Sequence, residues 1–312
     1  MIRKLSVCVL LVLLLSAGAC AQTTRPIAQI DRAMVISVDG MRPDLLLRAK
    51  APVMHGLYRK GSFTFWARTI EIGITLPSHV SMMTGVSPEI HGVTWNHGRN
   101  VGQGVYSDAP TLFEDAKKAG YTTAMAAGKP KFDALAKPRT LDWQYIVENK
   151  NDDGGDVADA AVGFIKGHRP QVMLVHFPDP DWAGHRYGWG SDEQIKSIEQ
   201  VDEYVGRVLA AMDERKVTSS TLIILTADHG GQGKVHGKND ARSLHIPWIA
   251  TGPGIRQNYD LTLDRTLQVD TVDTFATVCW VLAIANGRDV EGKPITQIAQ
   301  SSAPTTAQTD DD

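Results

Sequence analysis

Asp228 and His229 end an apolar run, Thr221-Leu-Ile-Ile-Leu-Thr-Ala, and are followed at once by Gly230 and Gly231. A carboxylate and an imidazole adjacent in sequence can face one ion only where the backbone turns sharply, which the glycines permit. Three more positions of the same chemical kind lie upstream, each where a strand runs out or a turn begins. They are Asp39 in VISVDG, Thr75 in GITLPSH, and Asp181 with His185 in PDPDWAGH. Carboxylate and imidazole ligands suit a hard or borderline divalent cation, and a hydroxyl among them suits a nucleophile that the cation activates. The set reads as a two-metal phosphoryl-transfer centre.

Each motif alone has an ordinary alternative. Asp-His-Gly by itself is about as often a solvated loop as a ligand pair. Asp181 and His185 are spaced to share a helix face, but the prolines and glycine around them favour a ligand-bearing turn; either geometry lets the side chains converge. Thr75 precedes Leu76-Pro77-Ser78, which looks like the start of a helix, so its hydroxyl would sit where helix N–H groups and the dipole favour an anion. On local sequence a capping or strand role for Thr75 is the commoner one, Ser78 could equally be the cap, and His79 reads as a structural histidine. Coordination to a cation would lower the hydroxyl pKa of Thr75 and make it a nucleophile.

The elements that must carry these residues alternate short apolar runs with longer amphipathic ones. That alternation predicts an α/β fold, a mostly parallel central sheet with helices on both faces. Strands are predicted at Ala33–Val38, Tyr121–Ala126, Val172–Phe177, Leu222–Thr226 and Ile246–Ala250, and helices at Pro43–Lys60, Thr111–Ala119, Asp156–Lys166, Asp192–Arg215 and Thr271–Ile284. In the longest helix Ile195, Ile198, Val201, Val205, Val208, Leu209 and Met212 form one stripe, which is packing rather than function. Gly and Pro punctuate the strand exits, and in open α/β sheets ligands gather at the carboxyl ends of strands. Between Lys131 and Asp153 lies the one evident place for an insertion or lid.

The chain has 312 residues and 43% hydrophobic content, enough for one large domain with a full core. A formal net charge of −3 gives no basic footprint for duplex nucleic acid, so a nucleotide would be met locally. Residues 1–21, MIRKLSVCVLLVLLLSAGACA, place Arg3 and Lys4 before an apolar run and small residues, the build of a secretory signal peptide. The apolar run is short for a membrane span, which needs about 20 apolar residues. Export in soluble form is expected, with lipid attachment at Cys20 as the lesser alternative. Cys8, Cys20 and Cys279 are too few for a disulfide framework, and Cys279 in DTVDTFATVCWVLAIA reads as core. Residues 22–296 are expected to form a single catalytic domain, and residues 297–312, polar and acidic, a disordered tail.

Taken in order, Asp39, Thr75 in T-L-P-S-H, Asn96 in H-G-V-T-W-N, D-W-A-G-H, D-H-G and the closing I-P-W-I-A-T-G-P-G resemble the alkaline phosphatase superfamily, in its type I phosphodiesterase/nucleotide pyrophosphatase branch. The similarity runs from Asp39 to Pro294. It implies two zinc ions, one held by Asp39, Asp228, His229 and the oxygen of Thr75, the other by Asp181, His185 and a further histidine. His236 in KVHGKND is expected in that last place, with His245 in LHIP in reserve. It also implies that Asn96 contacts a phosphate oxygen, and that a phosphothreonine forms at Thr75 and is hydrolysed by water. Trp95-Asn96-His97-Gly98 is also turn chemistry, but the family spacing favours the functional reading of Asn96.

Two departures bear on substrate. The chain has little room for a specificity domain, and it carries Lys129 and Lys131 where a monoesterase branch has Lys-x-Arg. A dianionic monoester needs more positive charge around its oxygens than a diester does, and Lys129 could supply it; a solvated lysine pair is the alternative. Among Trp66, Trp95, Trp182, Tyr187 and Trp189, Trp182 lies inside a metal motif and is expected to stack on a base or aryl leaving group. Hydrolysis of diesters or nucleotide pyrophosphates is expected ahead of monoester hydrolysis, with a non-enzymatic module that keeps the metal as the competing class. A sulfatase is disfavoured by the Thr75-Leu-Pro-Ser-His stretch, and the phosphomutase reading by its usual serine nucleophile.

Overall fold

In a computed structural model, residues 24–97, 106–148, 153–237 and 240–300 are described. The predicted signal peptide, residues 1–21, and the last twelve residues of the expected tail lie outside them. The elements in order are β1 (Arg32–Val38), α1 (Pro43–Arg48), α2 (Pro52–Arg59), β2 (Ser62–Arg68), α3 (Thr75–Thr84), α4 (Pro88–His91), α5 (Leu112–Lys118), β3 (Thr123–Ala127), β4 (Trp143–Ile146), α6 (Gly154–His168), β5 (Val172–Phe177), α7 (Asp179–Tyr187), α8 (Asp192–Glu214), β6 (Thr221–Thr226), α9 (Ala241–Leu244), β7 (His245–Thr251), β8 (Tyr259–Asp260) and α10 (Asp273–Leu282).

The strands make one eight-stranded sheet in the order β4-β3-β5-β1-β6-β7-β2-β8. β1, β5 and β6 at its centre are buried almost end to end, which is why they read as unbroken apolar runs. The sheet is mostly parallel, with β7 antiparallel to both β6 and β2. The helices fall into two packed sets, α1, α2, α6, α7 and α8 in one and α3, α4, α5 and α10 in the other. Register fixes where the chemistry gathers. Val38 pairs with Phe177, Ser37 with Thr226, and Ala127 with His176, so β1, β5, β6 and β3 all run out at the same edge. Asp39, Asp181, Asp228 and Lys129 each follow one of those exits within a few residues.

Several elements differ from the sequence reading for local reasons. The helix expected over Pro43–Lys60 is broken over Ala49–Ala51; Ala49 is already extended, and Pro52 biases Ala51 out of the helical region. α2 then restarts with Asp202 of α8 accepting from the backbone N–H groups of Val53 and Met54. β2, β4 and β8 carry no clean two-residue alternation; β2 is bulged between Thr64 and Ala67. Within the segment expected as an insertion or lid, the described residues hold the end of a 3₁₀ turn over Pro130–Leu135 and strand β4, while residues 149–152 lie outside the described residues. At the other end the chain is still placed at residues 297–300: Ile298 is buried in the core and the Gln300 N–H donates to the Gly254 carbonyl. The α8 stripe packs as expected, and Cys279 is buried.

One glycine holds the site together through its backbone. Gly40, directly after Asp39, has φ +71°, and a Cβ there would stand 3.0 Å from Asp181 Cα. Gly40→Ala is expected to lose about 1–2 kcal/mol from the left-handed backbone alone, and more from the contact with α7. Urea unfolding measures it; wild-type stability in the variant would contradict this account of the β1 exit.

Candidate active site

α3 begins at Thr75, with Ile74 as its extended N-cap residue, so the Thr75 and Leu76 N–H groups lie in the first turn, where a helix offers them no acceptor of its own. Asn96 supplies one from outside: its Oδ1 accepts from the Leu76 N–H at 2.9 Å and from Lys131 Nζ at 2.9 Å. With Oδ1 so engaged, the amide N–H₂ of Asn96 is the end left for a ligand. Thr75 Oγ1 is 3.3 Å from His229 Nε2, and both residues are buried.

Asp181 and His185 lie on α7, one turn apart on a single helix, rather than in the turn that Pro and Gly suggested. Pro180 sits in the first turn, where its missing N–H costs nothing. Gly184 is there for packing: a Cβ would come 2.8 Å from the Trp189 ring. Trp189 is buried and donates its indole N–H to the Gly40 carbonyl, which ties α7 to the β1 exit.

The three histidines share one arrangement. Each gives its Nδ1–H to a backbone carbonyl, His185 to Lys234, His229 to Gly230 and His236 to Gly73, which leaves each Nε2 lone pair facing the carboxylates. His185 Nε2 is 3.4 Å and His236 Nε2 3.7 Å from Asp181 Oδ1; His229 Nε2 is 3.2 Å from Asp228 Oδ2 and 3.5 Å from Asp39 Oδ1. Two groups could hold an ion: Asp181, His185 and His236, and next to it Asp39, Asp181 and His229. Asp228 completes the second side through its contact with His229. His245, the reserve candidate, is elsewhere, stacked on Trp66 at 3.8 Å between ring centroids.

Electrostatics show what the cluster lacks. Asp39, Asp181 and Asp228 are buried together, and Lys129 Nζ, also buried, bridges Asp39 Oδ2 and Asp181 Oδ2 at 2.6 Å each. Burial pushes the Asp39 carboxyl up, but Lys129 and His176 override it and hold it well below the usual range. Asp228, short of such partners, is pushed well up by burial and by Asp39. Burial brings His229 down to about 3 and lowers His236, so both are neutral and able to ligate. Asp39 Oδ1, Asp181 Oδ1 and Asp228 Oδ2 are buried without a hydrogen-bond partner. Unpaired carboxylate oxygens facing unprotonated imidazole nitrogens fit divalent cations.

Two histidines stand behind this layer, His176, which sequence reasoning passed over, and His79, which it read as structural. His176, in the otherwise apolar strand VMLVHF, is 2.8 Å from Asp39 Oδ2. His79 gives its Nδ1–H to the Thr75 carbonyl and accepts from the Ser37 hydroxyl at Nε2. A buried polar residue inside a strand's apolar run was the available signal for His176. Lys131 points to Asn96 rather than to solvent. Trp182 is 36% exposed beside Asp181 on α7.

The profile of the family described as type I phosphodiesterase/nucleotide pyrophosphatase matches residues 33–245, the stretch that holds every residue of this site. The chain belongs to that family. It is 24% identical over 215 residues to human ectonucleotide pyrophosphatase/phosphodiesterase family member 5, covering 64% of this chain and 45% of that protein. It is 23% identical over 218 residues to a bovine bis(5'-adenosyl)-triphosphatase, covering 65% and 48%, and 25% identical over 219 residues to a venom phosphodiesterase of Crotalus durissus collilineatus, covering 63% and 26%. This family member thus spans less than half the length of each of these relatives. Murine ectonucleotide pyrophosphatase/phosphodiesterase 5, solved as an inactive form with AMP, superposes with a TM-score of 0.71 at 15% identity, over 86% of this chain and 100% of that one. A 2-O glycosaminoglycan sulfatase superposes with a TM-score of 0.68 at 14% identity, over 85% and 73%. Both show the alkaline-phosphatase-like fold. Among the described residues no helix is long and apolar enough to cross a membrane.

The raised Asp228 carboxyl gives a signed prediction for metal-free protein. A folded-state pKa above the unfolded value contributes stability that is complete below the unfolded pKa, about 4, and is lost as pH rises through the folded value. Asp228→Asn keeps an acceptor for the Gly40 N–H, which now reaches Asp228 Oδ1 at 3.1 Å, and removes that loss. In chelator, the variant's stability relative to wild type is expected to grow from pH 4 upward in urea unfolding; a constant or shrinking difference contradicts the charge assignment.

Proposed function

We propose that the chain is a metal-dependent phosphoesterase of the phosphodiesterase/nucleotide pyrophosphatase type, with Thr75 as nucleophile and two divalent cations, zinc by preference, at the two ligand groups. The observation that carries this reading is the place of Thr75 Oγ1, in the first turn of α3 and 3.3 Å from the unprotonated His229 Nε2. Asp39, Asp228, His229 and the Thr75 oxygen would hold one cation, and Asp181, His185 and His236 the other. When bound, such cations supply Lewis-acid charge that lowers the hydroxyl pKa and offsets the charge of the phosphoryl oxygens.

The chain's own residues do the rest. Thr75 Oγ1, its hydroxyl proton released to solvent, attacks phosphorus in line; its bond to phosphorus forms as the bond to the leaving oxygen breaks, and that oxygen keeps the electron pair and takes up a proton from water. The Asn96 amide N–H₂ and the Thr75 N–H at the head of α3 donate to non-bridging oxygens on which charge develops. A water oxygen then bonds to phosphorus as the P–Oγ1 bond breaks, one water proton goes to Oγ1 to restore the Thr75 hydroxyl, and phosphate or its monoester departs. Trp182, beside Asp181, offers a face on which a base or aryl leaving group stacks. The pyrophosphatase, phosphodiesterase and triphosphatase names of the relatives support a small phosphate ester or nucleotide as substrate. The leader-like first residues support action outside the cytoplasm.

A specific contact supports monoester hydrolysis as the second reading. Lys131 Nζ lies 2.9 Å from Asn96 Oδ1, and Lys129 is close by among the carboxylates, so two lysines would be on hand to offset the extra charge of a dianionic monoester.

Thr75→Ala is expected to keep the fold and lower kcat/KM on a bis-aryl phosphate by at least about 1000-fold; turnover near wild type rejects the nucleophile. Rates on bis-aryl phosphate, an aryl nucleotide ester and aryl monophosphate rank the two readings. The diester substrates are expected to be faster. A faster monoester, with Lys129→Ala or Lys131→Ala impairing it selectively, transfers the assignment to the second reading.

A further inference from the structure

Asp39 is held by a histidine that lies behind the cation-binding face. β5 is apolar apart from His176, which is fully buried between β1 and β3. An imidazole in such a place is costly unless both nitrogens are satisfied. The Gly128 N–H, shared with the His176 carbonyl at 3.1 Å, reaches His176 Nδ1 at 3.2 Å, so Nδ1 is the acceptor and Nε2 carries the proton. That Nε2–H then donates to Asp39 Oδ2 at 2.8 Å. The ring is clamped on its other sides by Phe132, with centroids 4.2 Å apart, and by His79 at 4.9 Å.

The consequence falls on one carboxylate. Asp39 Oδ2 is occupied by His176 Nε2 and Lys129 Nζ, while Oδ1 has no partner and lies 3.5 Å from His229 Nε2. Lys129 is a poor restraint for Asp39, because it is shared with Asp181 and sits on a flexible stem. His176 is a rigid ring fixed at both nitrogens.

We propose that His176 is a positioning residue for metal binding: it locks the Asp39 rotamer and reserves Oδ1 as the single oxygen offered to the cation on the His229 side. This rests on the metal reading given above. Outer partners of this kind typically change metal affinity by about 10- to 100-fold when removed. The dependence is one-sided, since Asp181, His185 and His236 make no hydrogen bond to His176 among the described residues.

The test is zinc titration of the full chain against a chromophoric chelator, with the melting temperature of each metal-free variant recorded alongside. His176→Phe keeps an aromatic ring in the space and removes the donor. It is expected to weaken one zinc equivalent by about 10- to 100-fold and leave the other at wild-type affinity. His176→Gln places an amide N–H₂ near the former Nε2 and is expected to recover most of the loss, whereas the shorter His176→Asn is not. Should the Phe variant fail to fold, the contrast between Gln and Asn carries the same question. Wild-type affinity in His176→Phe, or equal loss in Gln and Asn, overturns the positioning role. A wild-type chain that binds no zinc overturns the metal reading itself.

Discussion

Three carboxylates buried side by side are the constraint on which the rest of this structure depends. Asp39, Asp181 and Asp228 sit at strand exits with one bridging ammonium, Lys129, between two of them. Burying charge without compensation is among the most expensive things a fold can do. The deficit appears as three unpartnered oxygens and as a proton held on Asp228 beyond its ordinary range. Cations would answer that deficit, and burial keeps His229 and His236 neutral with Nε2 turned toward the gap.

The sheet makes this crowding possible. Parallel neighbours end at one edge, so residues from β1, β3, β5 and β6 meet although about 190 positions separate Asp39 from Asp228. The α3 helix adds the hydroxyl by starting at Thr75, and α7 adds two candidate ligands, Asp181 and His185, at one-turn spacing. Close backbone approaches then set the fit: Gly40 against Asp181, and Gly184 beneath Trp189. Stability and function are therefore coupled at the same few residues. The apolar strands that build the core also carry the acidic residues to the place where they repel.

Much of this was legible in the residues. The central strands, the α8 stripe, the start of α3 and the grouping of Asp39, Thr75, Asp181, His185, Asp228 and His229 follow from runs, periods and ordered motifs, while His236 came only with the family resemblance. What escaped had physical causes. The α7 helix was hidden because Pro180 and Gly184 argue for a turn, yet a first-turn proline is harmless and the glycine is needed for contact with Trp189. β2 was hidden by its bulge, β4 and β8 by their shortness. His176 escaped because period and propensity describe strands, while its importance comes from a partner 137 residues away. Lys129 was placed near the site, but its bridging of Asp39 and Asp181 is a tertiary fact that no local spacing reveals.

The most direct test is a crystal structure of the zinc-loaded chain with anomalous data at the zinc edge. The account predicts two peaks roughly 3.5 to 4 Å apart, one among Asp181, His185 and His236 and the other among Asp39, Asp228, His229 and Thr75. No peak in the cluster, or a single one with Lys129 still bridging Asp39 and Asp181, would contradict it.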